Sequence, residues 1–420
     1  MGTRIVCALV LLAACTDDGF LDRGGSFEEV LGIDESSSDE DPERSDPTPA
    51  DLYDPNRLMI YKFALEEHAR EQLTSSPREY VPAELELVDR DTTERMQVGL
   101  RLKGEASFRT LDGKAAFRIK IDEYTHKQRL RGRRALTLNN MLQDHSLVAE
   151  RLAYEVFREL GAPAPRANHA LVYVDDEYYG VYANVETPNE DFLEQWFEVS
   201  DRTLYEETGR DFDNPEAADS FERETNEKQP DDRENLRSLQ DACIAADLGR
   251  VRALVDWPKF LLFSALEAAV NQVDGYSYAQ TGPNNYRIYD SEAGFVFIPW
   301  GLDWAFGPVA TQDEGLFVDP FWVRPQHGVL LRMCLNDEEC TREYREVVEC
   351  VATRWDDMRL EETLDHWIEQ IQSAFEADDR REVSHELAVA DREVTRDYIR
   401  GRAQALFDAL AGGGRMALFE

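Results

Sequence analysis

The amino-acid sequence predicts an α+β fold, with a β-rich N-terminal lobe and a mainly helical C-terminal lobe. Short apolar or alternating segments separated by turn residues follow one another through the N-terminal part of the chain, which is typical of strands. Further along, apolar residues recur at helical spacing over longer stretches. Pro188 and Asn189 mark a break between the two patterns, so we place the lobes at 51–187 and 188–420.

The first lobe begins with strand patterns in LMIYKFAL, YVPAELELV, RMQVGLRLKG, AFRIKID and ALTLNN. A helix follows them, because apolar residues recur every four positions between Val148 and Leu160. Asp144 or Ser146 can cap this helix, and Gly161 ends it. We therefore expect one helix inserted among antiparallel strands.

A hairpin closes the first lobe, since ALVYVDDEYYGVYANVE alternates on both sides of a turn at Asp175 and Asp176. The polar stretch between Glu206 and Glu234 predicts an irregular excursion. Beyond it, WPKFLLFSALEAAV predicts a helix, and two periodic stretches near the C-terminus predict two more.

The segment GFVFIPWGLDWAFG predicts a buried strand, because its apolar run is too short for a helix and is followed by Pro299 and Gly301. Asp303 comes just after this strand, between the apolar residues Leu302 and Trp304. A carboxylate in apolar surroundings needs a partner, since burying it alone is very unfavourable. A bound cation or a basic side chain would supply one.

Oxygen-bearing side chains gather shortly upstream of that strand, in NQVDGYSYAQTGPNNYRIY. Asn271, Asp274, Asn284 and Asn285 offer oxygen donors, with little sulfur or imidazole nearby. Such donors suit a hard cation such as magnesium. We take Asp274 and Asn285, together with the carboxylate of the preceding paragraph, as the core of a candidate site.

Composition limits the possible partners. The chain has 420 residues, of which 42% are hydrophobic, which is enough for a sizeable core. Its net charge of −39 would repel nucleic acid or an anionic membrane surface at long range, so we expect no nucleic-acid partner. The cysteines and the seven histidines form no metal-binding motif, which argues against zinc.

The N-terminus predicts export. Residues 1–15 combine an early arginine with a short apolar run, and Leu12-Ala13-Ala14-Cys15 resembles a bacterial lipobox. We expect a lipoprotein signal peptide that leaves Cys15 as a lipidated residue, with an ordinary cleaved signal as the alternative. Residues 16–50 are acidic and rich in Ser, Asp, Glu and Pro, so we expect a disordered linker. The protein would then be an exported lipoprotein anchored to the bacterial cell envelope.

Four cysteines lie beyond the lipobox: Cys243, Cys334, Cys340 and Cys350. An even number in an exported chain suggests two disulfides, for which three pairings are possible. We favour Cys334 with Cys340, which leaves Cys243 for Cys350.

Several segments, in order, resemble the CotH kinase family, which is named after a spore-coat protein. They include KGEAS, DGKAAFRIKID, NQVDGYSYAQTGPNNYRIYD and FIPWGLDWAFG, and the resemblance spans roughly Met96 to Gly307. It implies an atypical protein-kinase-like, bilobed fold. It also implies transfer of the γ-phosphoryl group of ATP to Ser or Thr of secreted or surface proteins, with Mg²⁺ or Mn²⁺.

The resemblance gives roles to the three core residues. Asp303 would be the main metal ligand, Asn285 the second ligand, and Asp274 the base or orienting group for the substrate hydroxyl. Each has a structural alternative. The first could be a buried carboxylate paired with an arginine, the second could satisfy loop backbone, and the third precedes a glycine and so also marks a plain turn.

Cationic residues of the first lobe would contact the nucleotide. Lys114 stands at the head of AAFRIKID, where the family has a lysine, and Arg118 and Lys120 share one strand face beyond it. Each is a candidate, although a lysine at a strand edge is commonly only a solvated charge. Glu150 or Glu155 on the helix is expected to pair with Lys114, as an acid does in protein kinases.

Gly104 with Ser107 resembles the short phosphate loop of the family. Two neighbours depart from the family pattern, since Lys103 stands where arginine is usual and Glu105 where a neutral polar residue is usual. A carboxylate near a triphosphate is unfavourable unless a metal intervenes.

Glu186 ends the hairpin and resembles a family position at the link between lobes, where it would help to hold the nucleotide. Gly301 replaces an aspartate that is common in the family's PWDLD motif. These departures leave two rivals to the kinase: a catalytically inactive surface scaffold with the same fold, and an enzyme that transfers AMP from the same site.

A basic cluster is conspicuous in so acidic a chain. It could attract an anionic substrate, but we favour the interpretation that it balances neighbouring acids. Its members are Lys127, Arg129, Arg131, Arg133 and Arg134.

Overall fold

The computed structural model describes residues 51–307 and 318–412. The predicted signal peptide 1–15 with Cys15 and the predicted linker 16–50 lie outside the described residues, so both stay predictions. None of the described helices combines the length and the apolar character needed to span a bilayer.

Seven strands of the N-terminal part close into a barrel. The strands are β1 (Met59–Ala64), β2 (Val81–Asp89), β3 (Thr92–Lys103), β4 (Ala116–Lys120), β5 (Ala135–Asn139), β6 (Ala167–Val174) and β7 (Glu177–Val185). Their order around the barrel is β1-β2-β3-β4-β5-β7-β6, and only the closing pair of β1 with β6 is parallel. The predicted strands and the hairpin of β6 with β7 are therefore confirmed.

Alternation decides which side chains of β4 face the barrel interior. Phe117 and Ile119 are fully buried in the barrel core, whereas Arg118 and Lys120 point outward. The outward face of this strand is the one that borders the candidate site.

Two helices accompany the barrel strands, α1 (Glu67–Ser75) and α2 (Ala149–Glu159). The sequence predicted only α2, because α1 is mostly polar and buries just Ala69 and Leu73. The predicted capping of α2 is confirmed, with both candidates taking part: the Ser146 hydroxyl accepts from the backbone N–H of residue 149, and the Asp144 carboxylate accepts from that of residue 150.

The C-terminal part contains a second sheet, which the sequence predicted only in part. Its order is β11-β10-β8-β9, and every pairing is antiparallel. The strands are β8 (Leu204–Glu206), β9 (Glu222–Arg223), β10 (Tyr286–Ser291) and β11 (Gly294–Pro299). The strand predicted just before Asp303 is β11, whereas β8 and β9 have two or three residues and are too short to show a period in sequence.

The remaining elements are helices, as the sequence predicted for this region. They are α3 (Glu190–Trp196), α4 (Ala217–Ser220), α5 (Glu234–Ile244), α6 (Leu248–Leu254), α7 (Trp257–Ala269), α8 (Val329–Leu335), α9 (Glu338–Arg354), α10 (Leu360–Glu376) and α11 (His385–Leu410), with a short 3₁₀ turn at Asp356–Met358. The mixed α+β architecture is thus confirmed.

Helix α2 packs with the core of the C-terminal part rather than with the barrel core. Its Phe157 ring lies 6.0 Å from that of Phe263 on α7. Since a helix from within the barrel sequence belongs to the second core, the division into domains at residue 187 stays a proposal.

One predicted disulfide is confirmed and the other is wrong. Cys334 and Cys340 are bonded to each other. Cys243 on α5 is a free, buried thiol, so it does not pair with Cys350. It packs within the apolar core, and burial together with the nearby charges of Asp211 and Asp213 raises its pKa. We paired the cysteines because their number is even, but a cysteine can also be a small core residue without a disulfide partner.

Candidate functional site

The candidate site lies where the outer face of the barrel meets one face of the second sheet. Arg118 reaches out from β4, and its Nη2 lies 2.9 Å from Oε2 of Glu224, just beyond β9. On the same sheet, Arg287 Nη2 on β10 lies 2.8 Å from Oε1 of Glu206 on β8. We call this region the cleft.

Asp274 and Asn285 meet at one edge of the cleft, as predicted. The Asn285 amide donates a hydrogen bond of 2.6 Å to one oxygen of Asp274, and the Asn284 amide donates one of 3.2 Å to the other. Burial raises the pKa of Asp274 in spite of these two donors.

A buried glutamate on α7 holds the loop that carries Asp274. Glu267 accepts hydrogen bonds from the backbone N–H groups of Tyr276, at 2.8 Å, and Ser277, at 2.6 Å. A Cβ atom at Gly275 would lie 2.0 Å from the Glu267 carboxylate, so only glycine fits here. Burial raises the pKa of Glu267 to about 7.

Asp303 lies on the loop that leaves β11, within electrostatic range of Asp274. The loop is fixed at Gly301, whose N–H donates to the Tyr154 hydroxyl of α2 at 3.1 Å and whose carbonyl accepts from Gln272 at 3.0 Å. The two predicted carboxylates therefore come from separate loops and lie close enough for their charges to interact.

Gly301 also accounts for a departure from the family motif. Its φ is +55°, and a Cβ atom there would lie 2.7 Å from the amide oxygen of Asn285. An aspartate at this position would push Asn285 out of its present place. The present position of Asn285 therefore depends on glycine at position 301.

The carboxyl groups of Asp303 and Glu150 lie within electrostatic range of each other, and burial disfavours the charged form of both. Burial, followed by the charge of Asp144, raises the pKa of Asp303 to about 6, against the lowering effect of Lys103. Burial, followed by Asp303, raises the pKa of Glu150 to about 8. A cation placed among these groups would relieve their mutual repulsion.

Lys103, at the end of β3, is the lysine whose charge interacts with Glu150 and Asp303. Its Nζ donates to the Asn139 side-chain oxygen, and the Asn139 amide donates to Glu150 Oε1 at 2.7 Å. Burial lowers the pKa of Lys103 to about 8, although the charges of Glu150 and Asp303 oppose this. An amide thus bridges the lysine and the glutamate, and Glu150 Oε2 is buried with no hydrogen-bond partner among the described residues.

The predicted pairing of Lys114 with Glu150 or Glu155 is wrong, and its contact with a nucleotide stays a prediction. Lys114 is 3% exposed, and its Nζ lies 2.5 Å from the buried Asp378 carboxylate. The Asp378 carboxylate approaches because residue 180 is glycine, where a Cβ atom would lie 2.0 Å from Asp378 Oδ2. Lys114 therefore forms a structural ion pair away from the cleft, and neither Glu150 nor Glu155 pairs with it.

Two further predicted residues differ from Arg118, which reaches the cleft. Glu155 interacts with Arg158 and with Arg151 on its own helix. Lys120 lies on the outer face of β4, half exposed, and pairs with the neighbouring Glu123 at 2.8 Å. Neither residue has a contact with the cleft carboxylates.

Glu186 has a structural partner in place of the predicted nucleotide. Arg166 donates to both of its oxygens, at 2.8 and 3.0 Å, and Arg133 lies 3.4 Å away. Glu186 is 2% exposed, so both oxygens are engaged inside the protein. The sequence could not reveal Arg166 as its partner, because the two residues are 20 positions apart.

The turn of Gly104 and Ser107 follows Lys103 directly and lies at the rim of the cleft. Gly104 has a φ of +96°, and a Cβ atom there would lie 2.7 Å from the Ser107 hydroxyl. The backbone carbonyl of Ser107 accepts a hydrogen bond of 2.9 Å from Asn140. Glu105 points into solvent, away from the buried carboxyl groups. The position is compatible with a phosphate loop, and that role stays a prediction.

The arginines of the basic cluster neutralise neighbouring acidic residues, which is the interpretation that we favoured. The four arginines all form ion pairs with nearby carboxylates: Arg129 with Asp122, Arg131 with Asp89 and Glu94, Arg133 with Glu186, and Arg134 with Glu190 and Asp191.

The donor set fits a hard cation by its chemistry. Within residues 51–307 and 318–412, no three or more His, Cys, Asp or Glu side chains are close enough to hold a metal ion by themselves. The Asn285 amide oxygen and the carboxylates of Asp274 and Asp303 nevertheless offer oxygen ligands. Asp303 and Asn285 are the residues that would hold magnesium or manganese, with Asp274 beside them.

Sequence reasoning missed several residues of the cleft. Lys103 was noted only as a departure from the family pattern, and Arg287 stood unremarked within NNYRIY. Alternation along β10 would have placed Arg287 on the same face as Tyr289, opposite the core-facing Ile288. The positions of Glu206, Glu224 and Asn139 depend on long-range pairing, which no local pattern reveals.

Comparison with known proteins gives consistent matches. A family model described as CotH kinase protein matches residues 100–406, which include Lys103, Asp274 and Asp303. Inner spore coat protein H of Bacillus subtilis (strain 168) is 26% identical over 299 residues, which cover 67% of this chain and 80% of that protein. The inner spore coat protein H-like protein of the same strain is 36% identical over 63 residues, or 15% of this chain and 20% of that protein.

Proposed function

Because this chain belongs to the CotH kinase protein family, we propose that it is a metal-dependent protein kinase. It transfers the γ-phosphoryl group of ATP to Ser or Thr hydroxyls of secreted or surface proteins. Its barrel and its C-terminal part form a kinase-like, bilobed fold around the cleft. The chain is exported and is anchored to the cell envelope through a lipid on Cys15, and its net charge of −39 disfavours nucleic acid as a partner.

The contact of Asp274 with Asn285, within electrostatic range of Asp303 and therefore near Lys103, carries this proposal. Phosphoryl transfer needs positioned charges of both signs around the triphosphate. Two carboxylates of the C-terminal part and a partly buried lysine of the barrel supply them.

Each residue has a distinct task. Mg²⁺ or Mn²⁺ held by Asp303 and Asn285 would neutralise negative charge on the phosphates of ATP. Lys103 donates hydrogen bonds to phosphate oxygens from the barrel side. Asp274 accepts a hydrogen bond from the substrate hydroxyl and orients it, and its raised pKa makes it a better proton acceptor than an ordinary aspartate.

The test is incorporation of label from γ-labelled ATP into protein by the parent and by Asp303→Asn. We expect a loss of about 100-fold or more, because an electrostatic contact made at the reacting phosphate disappears. Asp357→Asn, an exposed aspartate with no role in the cleft, is the matched control and should label as the parent does. Equal labelling by Asp303→Asn would contradict the assignment. Label from α-labelled ATP would instead indicate AMP transfer.

A catalytically inactive scaffold is the second candidate. It is favoured by Gly301 in place of the family's aspartate and by the relatives' name, inner spore coat protein H. A scaffold would show no rise in its unfolding temperature with ATP and magnesium together, whereas a nucleotide-binding protein would.

A further inference from the structure

We propose that Arg287 on β10 is the phosphate-binding residue of the cleft and that Trp300 covers it until an anion enters. The inference deepens the proposed function, on which its link to ATP rests, by naming a residue that the family motif does not supply. The ligand chemistry is that of a polyphosphate, whose oxygens suit the planar fork of a guanidinium.

Arg287 is buried but incompletely hydrogen-bonded. It is 1% exposed, and its Nη2 donates to Glu206 Oε1 at 2.8 Å. Its Nε and Nη1 are buried with no hydrogen-bond partner in the described part of the chain. Leaving buried donors of a charged group unsatisfied is unfavourable, so two N–H groups are available to a ligand that reaches them.

The position of Arg287 suits this task. It lies two residues after Asn285, one of the proposed metal ligands, on the same chain segment. Its charge also contributes to lowering the pKa of Lys103, which places the two cations in electrostatic range of each other. Repulsion between them would be relieved by an anion bound between them.

Three cations on or just before β4 have carboxylate partners. Arg118 pairs with Glu224, Lys120 with Glu123 and Lys114 with Asp378, each through a contact of 2.5 to 2.9 Å. Arg287 also pairs with a carboxylate, that of Glu206, but two of its three guanidinium nitrogens have no hydrogen-bond partner in the described part of the chain.

Trp300 controls access to Arg287. The Arg287 guanidinium carbon lies 4.3 Å from the centre of the Trp300 ring, and Lys103 Nζ lies 5.7 Å from the same centre. Trp300 is half-buried, so part of its side chain is in contact with solvent. Because the free N–H groups are buried, a phosphate reaches them only when the indole shifts.

The experiment is calorimetric titration of the full-length protein with magnesium tripolyphosphate, which has no nucleoside. We expect Arg287→Met to weaken binding by about 10- to 100-fold, as loss of charge-assisted hydrogen bonds would. Arg400→Met, an exposed arginine on α11, is the matched control and should bind as the parent does. Tryptophan fluorescence should change on binding in the parent and much less in Trp300→Phe.

Arg287→Met leaves Glu206 buried without its cation, so a double variant, Arg287→Met with Glu206→Gln, guards against loss of folding. Weak binding by the folded double variant supports the proposal. Parent-like binding by either variant, or no binding by the parent, overturns it. If tripolyphosphate binding depends on Arg287 while no phosphoryl group is transferred, the anion site stands and the kinase function falls.

Discussion

Lys103 and Lys114 stand on either side of one turn between β3 and β4, yet their surroundings are opposites. Lys114 has a carboxylate, Asp378, in direct contact at 2.5 Å. Lys103 reaches only the neutral amide of Asn139, with Glu150 beyond it. Lys114 and Asp378 neutralise each other within the fold. Among the described residues, Lys103 has no carboxylate in direct contact, so its charge is available to a ligand.

Position in the sequence could not show which of the two lysines has a carboxylate partner. Both lysines lie near strand ends, Lys114 fully buried and Lys103 partly buried, and the family resemblance favoured Lys114. What separates a structural lysine from a functional one is the partner, and the partner of Lys114 is 264 residues away. Buried charges with complete partners stabilise the fold, while those with incomplete partners indicate a site.

The largest effect expected is on stability, from breaking the structural pair. Asp378→Ala leaves Lys114 buried without a counter-charge, which should lower the free energy of unfolding by about 3 to 5 kcal/mol. Denaturant unfolding measures this. The double variant Lys114→Met with Asp378→Asn should recover most of the loss, since it removes the stranded charge. A single variant as stable as the parent would mean that the pair is not buried as described.

The second prediction concerns how stability depends on pH through Glu150, the carboxyl group near Lys103. The pKa of Glu150 is raised to about 8, so its contribution to stability is present below about pH 4.5 and is lost as pH rises through 8. Glu150→Gln resembles the protonated form and should avoid this loss. Relative to the parent, it should gain about 3 kcal/mol between pH 5 and pH 8. Parallel stability profiles of the two proteins would contradict the raised pKa.

The smallest of these effects concerns binding. Lys103→Met should weaken Mg-ATP binding by about 10-fold, by loss of one charged hydrogen bond, and should change stability by less than about 1 kcal/mol. Calorimetry and denaturant unfolding measure the two quantities. Lys120→Met, on the exposed outer face of the same barrel, is the control and should leave both unchanged. A large loss of stability in Lys103→Met would make this lysine structural, like Lys114.

Much of the fold followed from local patterns, because strand alternation, helical periodicity and capping depend on neighbouring residues. The strands of the barrel, the hairpin at Asp175 and the caps of α2 are examples. Helix α1 and the short strands β8 and β9 were missed, because α1 buries little apolar surface and the strands are too short to alternate.

The candidate site was predicted where its residues lie on nearby loops. Asp274 and Asn285 are 11 positions apart and meet as expected. The partners of Lys114 and Glu186, the cleft position of Lys103 and the free thiol of Cys243 depend on packing between distant segments. No pattern within a short window contains that information.

A crystal structure of the protein with Mg²⁺ and a non-hydrolysable ATP analogue tests the central claim most directly. The account predicts the metal on Asp303 and Asn285, the terminal phosphate beside Asp274, and the phosphate chain in contact with Lys103 and Arg287. A nucleotide bound elsewhere, or a cleft still closed by Trp300 at saturating analogue, would contradict it.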